Sequence, residues 1–167
     1  MHKRTVLYGV ARLLQVMGLA LLPPAVIAWF DRPDLPFAAR VLSPEFLGFW
    51  IAILAALVTG TAFATALKKR RTEQTVREGF AIVTIGWVVM VVFGAIPFFI
   101  WFLQNSGDSS ISGMIHAFTN SAFEIMSGFT TTGSTILTDI EAVPRGLLFW
   151  RSLTHWLGGM GIVTLAL

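Results

Sequence analysis

Four long apolar runs, separated by short polar segments, dominate the sequence. Residues 13–30 hold 18 positions with only Gln15 polar, 46–67 hold 22 without a charge, and 79–103 hold 25 without a charge. A fourth run, 147–167, is interrupted by Arg151 and His155. A hydrocarbon layer about 30 Å thick takes roughly 20 helical residues to cross, because lipid offers no partner to a backbone N–H or C=O. The four runs are therefore expected to be membrane-spanning helices, and the chain an all-α integral membrane protein. The first run follows His2, Lys3, Arg4 and Arg12, the basic flank of a secretory signal. It is nevertheless long, carries Pro23-Pro24 and ends in Trp29-Phe30 without a small-residue cleavage site, so it reads as a retained span. The proline pair should kink or break that helix, which lipid tolerates only where neighbouring protein covers the freed carbonyls. Ser43-Pro44-Glu45 has the chemistry of a helix start: a cap, a proline at the first helical position and an acid in the first turn. Trp29, Trp50, Trp101 and Trp150 lie near span ends, where indoles anchor a helix at the interface.

The 43 residues from 104 to 146 separate the third run from the fourth, and they are not polar throughout. Ile115, Phe118, Ala122, Ile125 and Phe129 recur at three- and four-residue spacing, a helical period. A helix over 113–127 would have 15 residues and a length of about 22 Å. That is short for a crossing, and both of its ends must return to the same side, so it reads as a re-entrant segment. Directly after it come Thr130, Thr131, Thr132, Gly133, Ser134 and Thr135. A chain entering as a short helix and leaving as an extended Thr/Gly segment can line a narrow path with backbone carbonyls, which replace the water shell of an alkali cation. Gly133 admits φ > 0 without penalty. Neutral oxygens suit a monovalent ion that must bind and then leave. Spacing alone leaves a second reading open, a Thr-rich external loop behind an interfacial amphipathic helix.

Composition agrees with a membrane protein and narrows the remaining choices. Of 167 residues, 55% are hydrophobic and 13% charged, against about 25% charged in a soluble domain. This excludes an ordinary globular enzyme, a disordered tail and a nucleic-acid binder, although the pI is near 10.0. Cysteine is absent, so there is no disulfide scaffold or thiolate site. Eight of the 12 basic residues (Lys3, Arg4, Arg12, Lys68, Lys69, Arg70, Arg71 and Arg77) lie in the N-terminus and in the segment between runs two and three. The positive-inside rule then puts both in the cytoplasm.

In order and spacing, several stretches resemble the Trk/Ktr/HKT superfamily of potassium transporters, specifically the Trk-type transmembrane subunit. They are Arg77-Glu78-Gly79-Phe80, Gly94-Ala95-Ile96-Pro97-Phe98, the segment from Ala122 to Thr135, Phe149-Trp150-Arg151, and His155-Trp156-Leu157-Gly158-Gly159-Met160-Gly161-Ile162. The resemblance implies a two-helix hairpin over 1–67, a cytoplasmic basic loop over 68–78, and over 79–167 the first of four helix–pore loop–helix repeats around one K⁺ pathway. Within that repeat it implies an outer loop at 103–112, a pore helix at 113–129, a filter at 130–135 and the start of the inner helix at 147–167. K⁺ would meet the carbonyls of Thr130, Thr131, Thr132 and Gly133, and be held chiefly at the last three. Ser134, Thr135 and Glu124 would support them. In plant relatives a serine at the filter glycine goes with Na⁺, so Gly133 favours K⁺. The resemblance further implies a bacterial inner membrane, the lipid bilayer and three other repeats as partners, a homodimer, and a cytosolic nucleotide-binding regulatory subunit, with no organic cofactor on this chain. Family members are several-fold longer, so a fragment, a split-gene piece or one wall of a four-copy channel are all consistent with this chain. The two extra helices fit a four-copy assembly less naturally.

Some side chains admit two roles. Glu124, in an apolar helix, is either an acceptor for donors behind the filter or a source of negative potential for cations. Asp139 and Glu141 either raise cation concentration at the mouth or are simply solvated. Arg151 is expected to snorkel to the interface, and His155 to pack with a hydrogen bond beside Trp156. Gly158-Gly159-x-Gly161 permits close helix approach. The rival to a pore is a non-conducting membrane scaffold that uses its small-residue faces to bind partner helices.

Overall fold

The computed structural model describes residues 2–67, 75–108 and 110–166, with side chains as far as residue 161. The basic cluster Lys68, Lys69, Arg70 and Arg71 lies outside the described residues. All regular structure among those described is helical: α1 (Lys3–Ala20), α2 (Leu22–Phe30), a one-turn α3 (Phe37–Val41), α4 (Pro44–Ala66), α5 (Val76–Gly94), α6 (Ile96–Ser106), α7 (Ile111–Phe129) and α8 (Arg145–Ala166). Among the described residues, three stretches are long and apolar enough to cross a membrane: Lys3–Phe30, Pro44–Ala66 and Val76–Ser106. The fourth expected span, α8, has 22 residues and hence a length of about 33 Å. It is not among the three, because Arg145, Arg151, Ser152, Thr154 and His155 dilute its apolar content.

Two of the spans are broken by proline, which has no N–H to give to the preceding turn. Pro23 and Pro24 fall in the first turn of α2, and the helix breaks at Leu21. Pro97 does the same in the third run, so that α5 ends at Gly94 and α6 restarts at Ile96. At this second break the indole of Trp150 donates to the Gly94 carbonyl at 2.9 Å. Trp150 is completely buried and is therefore not an interfacial anchor; its ring packs edge-on to Phe129. Ser43 does occupy the position before α4, with Pro44 and Glu45 in the first turn, but its hydroxyl makes no cap bond. Glu45 pairs instead with Arg32 at 3.1 Å.

Contacts at the helix ends fix which of them share an end of the bundle. At one end of the bundle the His2 N–H donates to Glu78 Oε1 at 2.7 Å, joining the starts of α1 and α5. At the other end Asp31, just past α2, accepts the N–H of Gly146 at 3.0 Å. A carboxylate there caps the start of α8 from a different helix. Between these ends the helices share a core of large side chains, among them Met17, Phe49, Ile53, Phe98, Phe129 and Trp150, and come closest to one another at small residues. On α4, Gly48, Ala52, Ala56 and Gly60 form a stripe at four-residue spacing, all buried. A Cβ on Gly60 would lie 2.9 Å from the Ala11 carbonyl of α1, and one on Gly48 3.0 Å from Pro97 Cα of α6. Val16, Leu54, Val58, Phe63 and Phe80 are exposed. Small residues at the closest crossings, with further large apolar side chains left outside, suit packing in lipid, where close backbone approach drives helix association.

The crossing of α7 and α8 is the closest of these contacts. A Cβ on Gly158 would collide with the backbone of Phe129, and one on Gly128 with the side chain of Thr154. Gly159 differs, since its Cβ would sit 3.8 Å from Thr131 Cγ2, an ordinary contact. Gly158→Ala should therefore cost about 1–3 kcal/mol through overpacking, whereas Gly159→Ala should stay within about 0.5 kcal/mol. Thermal unfolding of the detergent-solubilised protein would compare the two. By the same measurement, Trp150→Phe should lose about 1–3 kcal/mol, because it leaves the Gly94 carbonyl buried without its donor.

Candidate ion-coordinating loop

Helix α7 begins at a well-formed cap. Ser110 Oγ accepts the Gly113 N–H at 3.1 Å, and the Ser110 N–H donates to Asp108 Oδ1 at 2.8 Å. The Ser110 hydroxyl and N–H hold the Asp108 carboxyl below its ordinary value. The helix runs for 19 residues, about 28 Å, and ends at Phe129 beside Gly94 and Trp150, level with the break between α5 and α6. The chain then turns back, and α8 starts near Asp31 at the end of the bundle where α2 stops. The buried face of α7 carries Gly113, Ala117, Ser121, Glu124, Ile125 and Gly128. This is not the apolar stripe that the sequence suggests. Ile125 and Phe129 are buried, but Ile115 and Phe118 are 59% and 49% exposed. The small residues turn inward because they let α7 approach its neighbours closely.

Residues 130–133 are wound back onto the last turn of α7 rather than extended from Thr130 onward. The N–H of Thr130 donates to Met126, that of Thr131 to Gly128, and that of Thr132 to Ser127, at 2.9, 2.9 and 3.0 Å. Thr131 (φ 56°) and Gly133 (φ 79°) both lie in the left-handed region. Glycine adopts it freely, but in a β-branched threonine it holds strain of about 1–3 kcal/mol. The hydroxyls of Thr130 and Thr132 are 2.8 Å apart, and Ser127 Oγ donates to the Ser134 carbonyl at 2.7 Å.

Behind this loop lies an ion pair whose acid is buried and whose arginine is partly exposed. Glu124 is fully buried. Its Oε1 accepts the Thr135 hydroxyl at 2.8 Å and the Ile136 N–H at 2.7 Å. Its Oε2 accepts Arg151 Nε at 2.7 Å. From the same guanidinium, Nη2 donates to the carbonyls of Gly133 at 3.0 Å and Ser134 at 3.2 Å. Arg151 therefore does not snorkel: an unpaired carboxylate in this setting is costly, and the arginine one helix away supplies its counter-charge. The Arg151 carbonyl in turn accepts the Thr154 hydroxyl and contacts His155 Nδ1, at 2.6 and 2.8 Å. Thr130, Thr131, Thr132, Gly133, Ser134, Thr135 and Glu124 thus share one hydrogen-bond network with Arg151. Sequence reading did not join Arg151 to that set. The signal was available, because a buried acid needs a cation and Arg151 is the charge within the fourth apolar run.

The front of the loop is open. Thr131 to Thr135 are exposed, and a hollow of about 170 Å³ is lined by Phe123, Met126, Ser127, Thr130, Thr132 and Ser134. Asp139 and Glu141 are exposed beyond it. Asp139 Oδ1 accepts the N–H groups of Glu141 and Ala142 at 3.1 and 3.3 Å, which pins the turn leading to α8.

The family model for the cation transport protein TrkH matches residues 43–167. The Trk system potassium uptake protein TrkH of Halomonas elongata is 35% identical over 170 residues, covering 99% of this chain and 30% of that protein. The Trk system potassium uptake protein TrkG of Escherichia coli K12 is 32% identical over 165 residues, with the same coverage. An uncharacterized cation transporter of Methanocaldococcus jannaschii is 26% identical over 161 residues, covering 96% of this chain and 29% of that protein. The chain thus spans about 30% of the length of the curated relatives it matches. The matched region takes in the loop, the ion pair behind it and three of the four apolar runs, and the chain belongs to the TrkH family of cation transport proteins.

Proposed function

We propose that this chain is the first pore-forming portion of a Trk-type potassium uptake protein in a bacterial cytoplasmic membrane. On this reading α1, α2 and α4 form the extra hairpin. The third run, α7, the loop and α8 form the first helix–pore loop–helix repeat, and three further repeats complete the wall around the ion. The N-terminus and the basic segment 68–78 lie on the cytoplasmic side, by the positive-inside rule. K⁺ sheds its water and passes the carbonyls of Thr130, Thr131, Thr132 and Gly133 together with their equivalents from the other repeats. Ser134, Thr135 and Glu124 support those carbonyls from behind. No covalent step is involved.

One observation carries the reading. The loop after α7 is fastened along its back by Ser127, Glu124 and Arg151, while its front is exposed. Irregular backbone at membrane depth is tolerated where it lines a cavity or is covered by protein. The names of the relatives, which are potassium uptake proteins, supply the ion.

Gly133→Ser in the complete transporter, with K⁺ and Na⁺ uptake measured separately, tests this. A side chain at φ 79° introduces strain of about 1–3 kcal/mol, so the preference for K⁺ over Na⁺ should fall roughly tenfold. Unchanged uptake of both ions would point instead to a scaffold, which would be indifferent to the substitution.

A further inference from the structure

A guanidinium beside a cation pathway is unexpected, since it should repel the ion. Its geometry here gives a reason for its presence. Arg151 uses two separate edges: Nε faces Glu124 at 2.7 Å, while Nη2 reaches Gly133 O at 3.0 Å and Ser134 O at 3.2 Å. The carboxylate neutralises the charge, and the remaining donors fix the direction of two consecutive carbonyls. Glu124 is fastened in turn to Thr135 and Ile136 on the far side of those carbonyls. The loop is therefore held on both sides of Ser134 by one ion pair that links α7 to α8. Its backbone cannot settle this position alone, because Gly133 has the freest dihedrals in the segment.

We infer that Arg151 is a specificity-determining positioning residue: by holding the Gly133 carbonyl and the Ser134 carbonyl behind it, it sets the size of the cage formed by the carbonyls of residues 130–133 and thereby the discrimination between K⁺ and the smaller Na⁺. This rests on the assignment of residues 130–133 as the ion path. Carbonyls free to swing can close around a smaller ion, so selectivity should depend on how firmly they are held. The planar fork of arginine can serve a carboxylate and two carbonyls at once, whereas the point charge of lysine cannot hold the same geometry.

The test is Arg151→Lys in the complete transporter, reconstituted in lipid vesicles, with K⁺ and Na⁺ fluxes measured alongside Gly133→Ser and Ser152→Ala. Among the described residues, the Ser152 hydroxyl bonds only the Leu148 carbonyl of its own helix. Arg151→Lys keeps the charge on Glu124 balanced. It should lower the K⁺/Na⁺ flux ratio about tenfold, the scale of a lost charge-assisted hydrogen bond, while Ser152→Ala leaves the ratio unchanged. If Gly133→Ser shifts the ratio and Arg151→Lys does not, the role given to Arg151 is wrong and the ion path stands. If neither shifts it, the ion path is wrong and the inference falls with it. Should Arg151→Lys fail to reach the membrane, Glu124→Asp carries the same test. It retains both charges but draws the guanidinium back from the carbonyls, and the same tenfold fall is expected; an unchanged ratio overturns the inference.

Discussion

A carboxylate with no access to water governs the second half of this molecule. Glu124 is fully buried on α7, where an uncompensated charge would be expensive. Its needs are met from three directions: a guanidinium from α8, a hydroxyl from Thr135 and an N–H from Ile136. Meeting them fixes the position of α8 against α7 and draws the returning chain back across the end of α7. Gly128 and Gly158 make this possible, because any side chain there would hold the two helices too far apart for Arg151 to reach. The loop, the helix crossing and the ion pair therefore form a single unit.

The remaining packing follows from a different constraint. In lipid, helix association depends on how closely backbones can approach. The stripe of Gly48, Ala52, Ala56 and Gly60 on α4, and the face of Ala117, Ser121 and Gly128 on α7, meet this requirement. The large residues outside them, such as Leu54, Phe63, Ile115 and Phe118, remain available to lipid or to further protein.

Much of the fold was legible in the sequence because run length and proline act locally. The break at Pro23-Pro24, the start of α4 at Pro44 and the helix before the Thr/Gly loop all follow from a few adjacent residues. Pro97 carries the same signal as the earlier pair, although the run around it reads as one uninterrupted span. The buried face of α7 was not legible from apolar periodicity, because a rule made for water places the large residues inside. Trp150 reads as an interfacial anchor from its position near a span end, yet it is buried because Gly94, 56 residues away, needs its donor. Arg151 and Glu124 are 27 residues apart. Their pairing follows from how two helices cross, which spacing along the chain does not encode.

The two proline breaks fall at matching depth. Helices α1 and α5 have their starts joined through His2 and Glu78, and they run 18 and 19 residues before breaking, about 27 and 28 Å. They resemble two columns jointed at the same storey. Below the joint, α1 is packed against α4 and α5; above it, α2 leans on α8 and α4, and α6 on α4 and α7. A tilt of either upper segment would pivot at that level and pass both to a helix bearing one half of the Glu124–Arg151 pair and to α4, which carries it on to the lower storey.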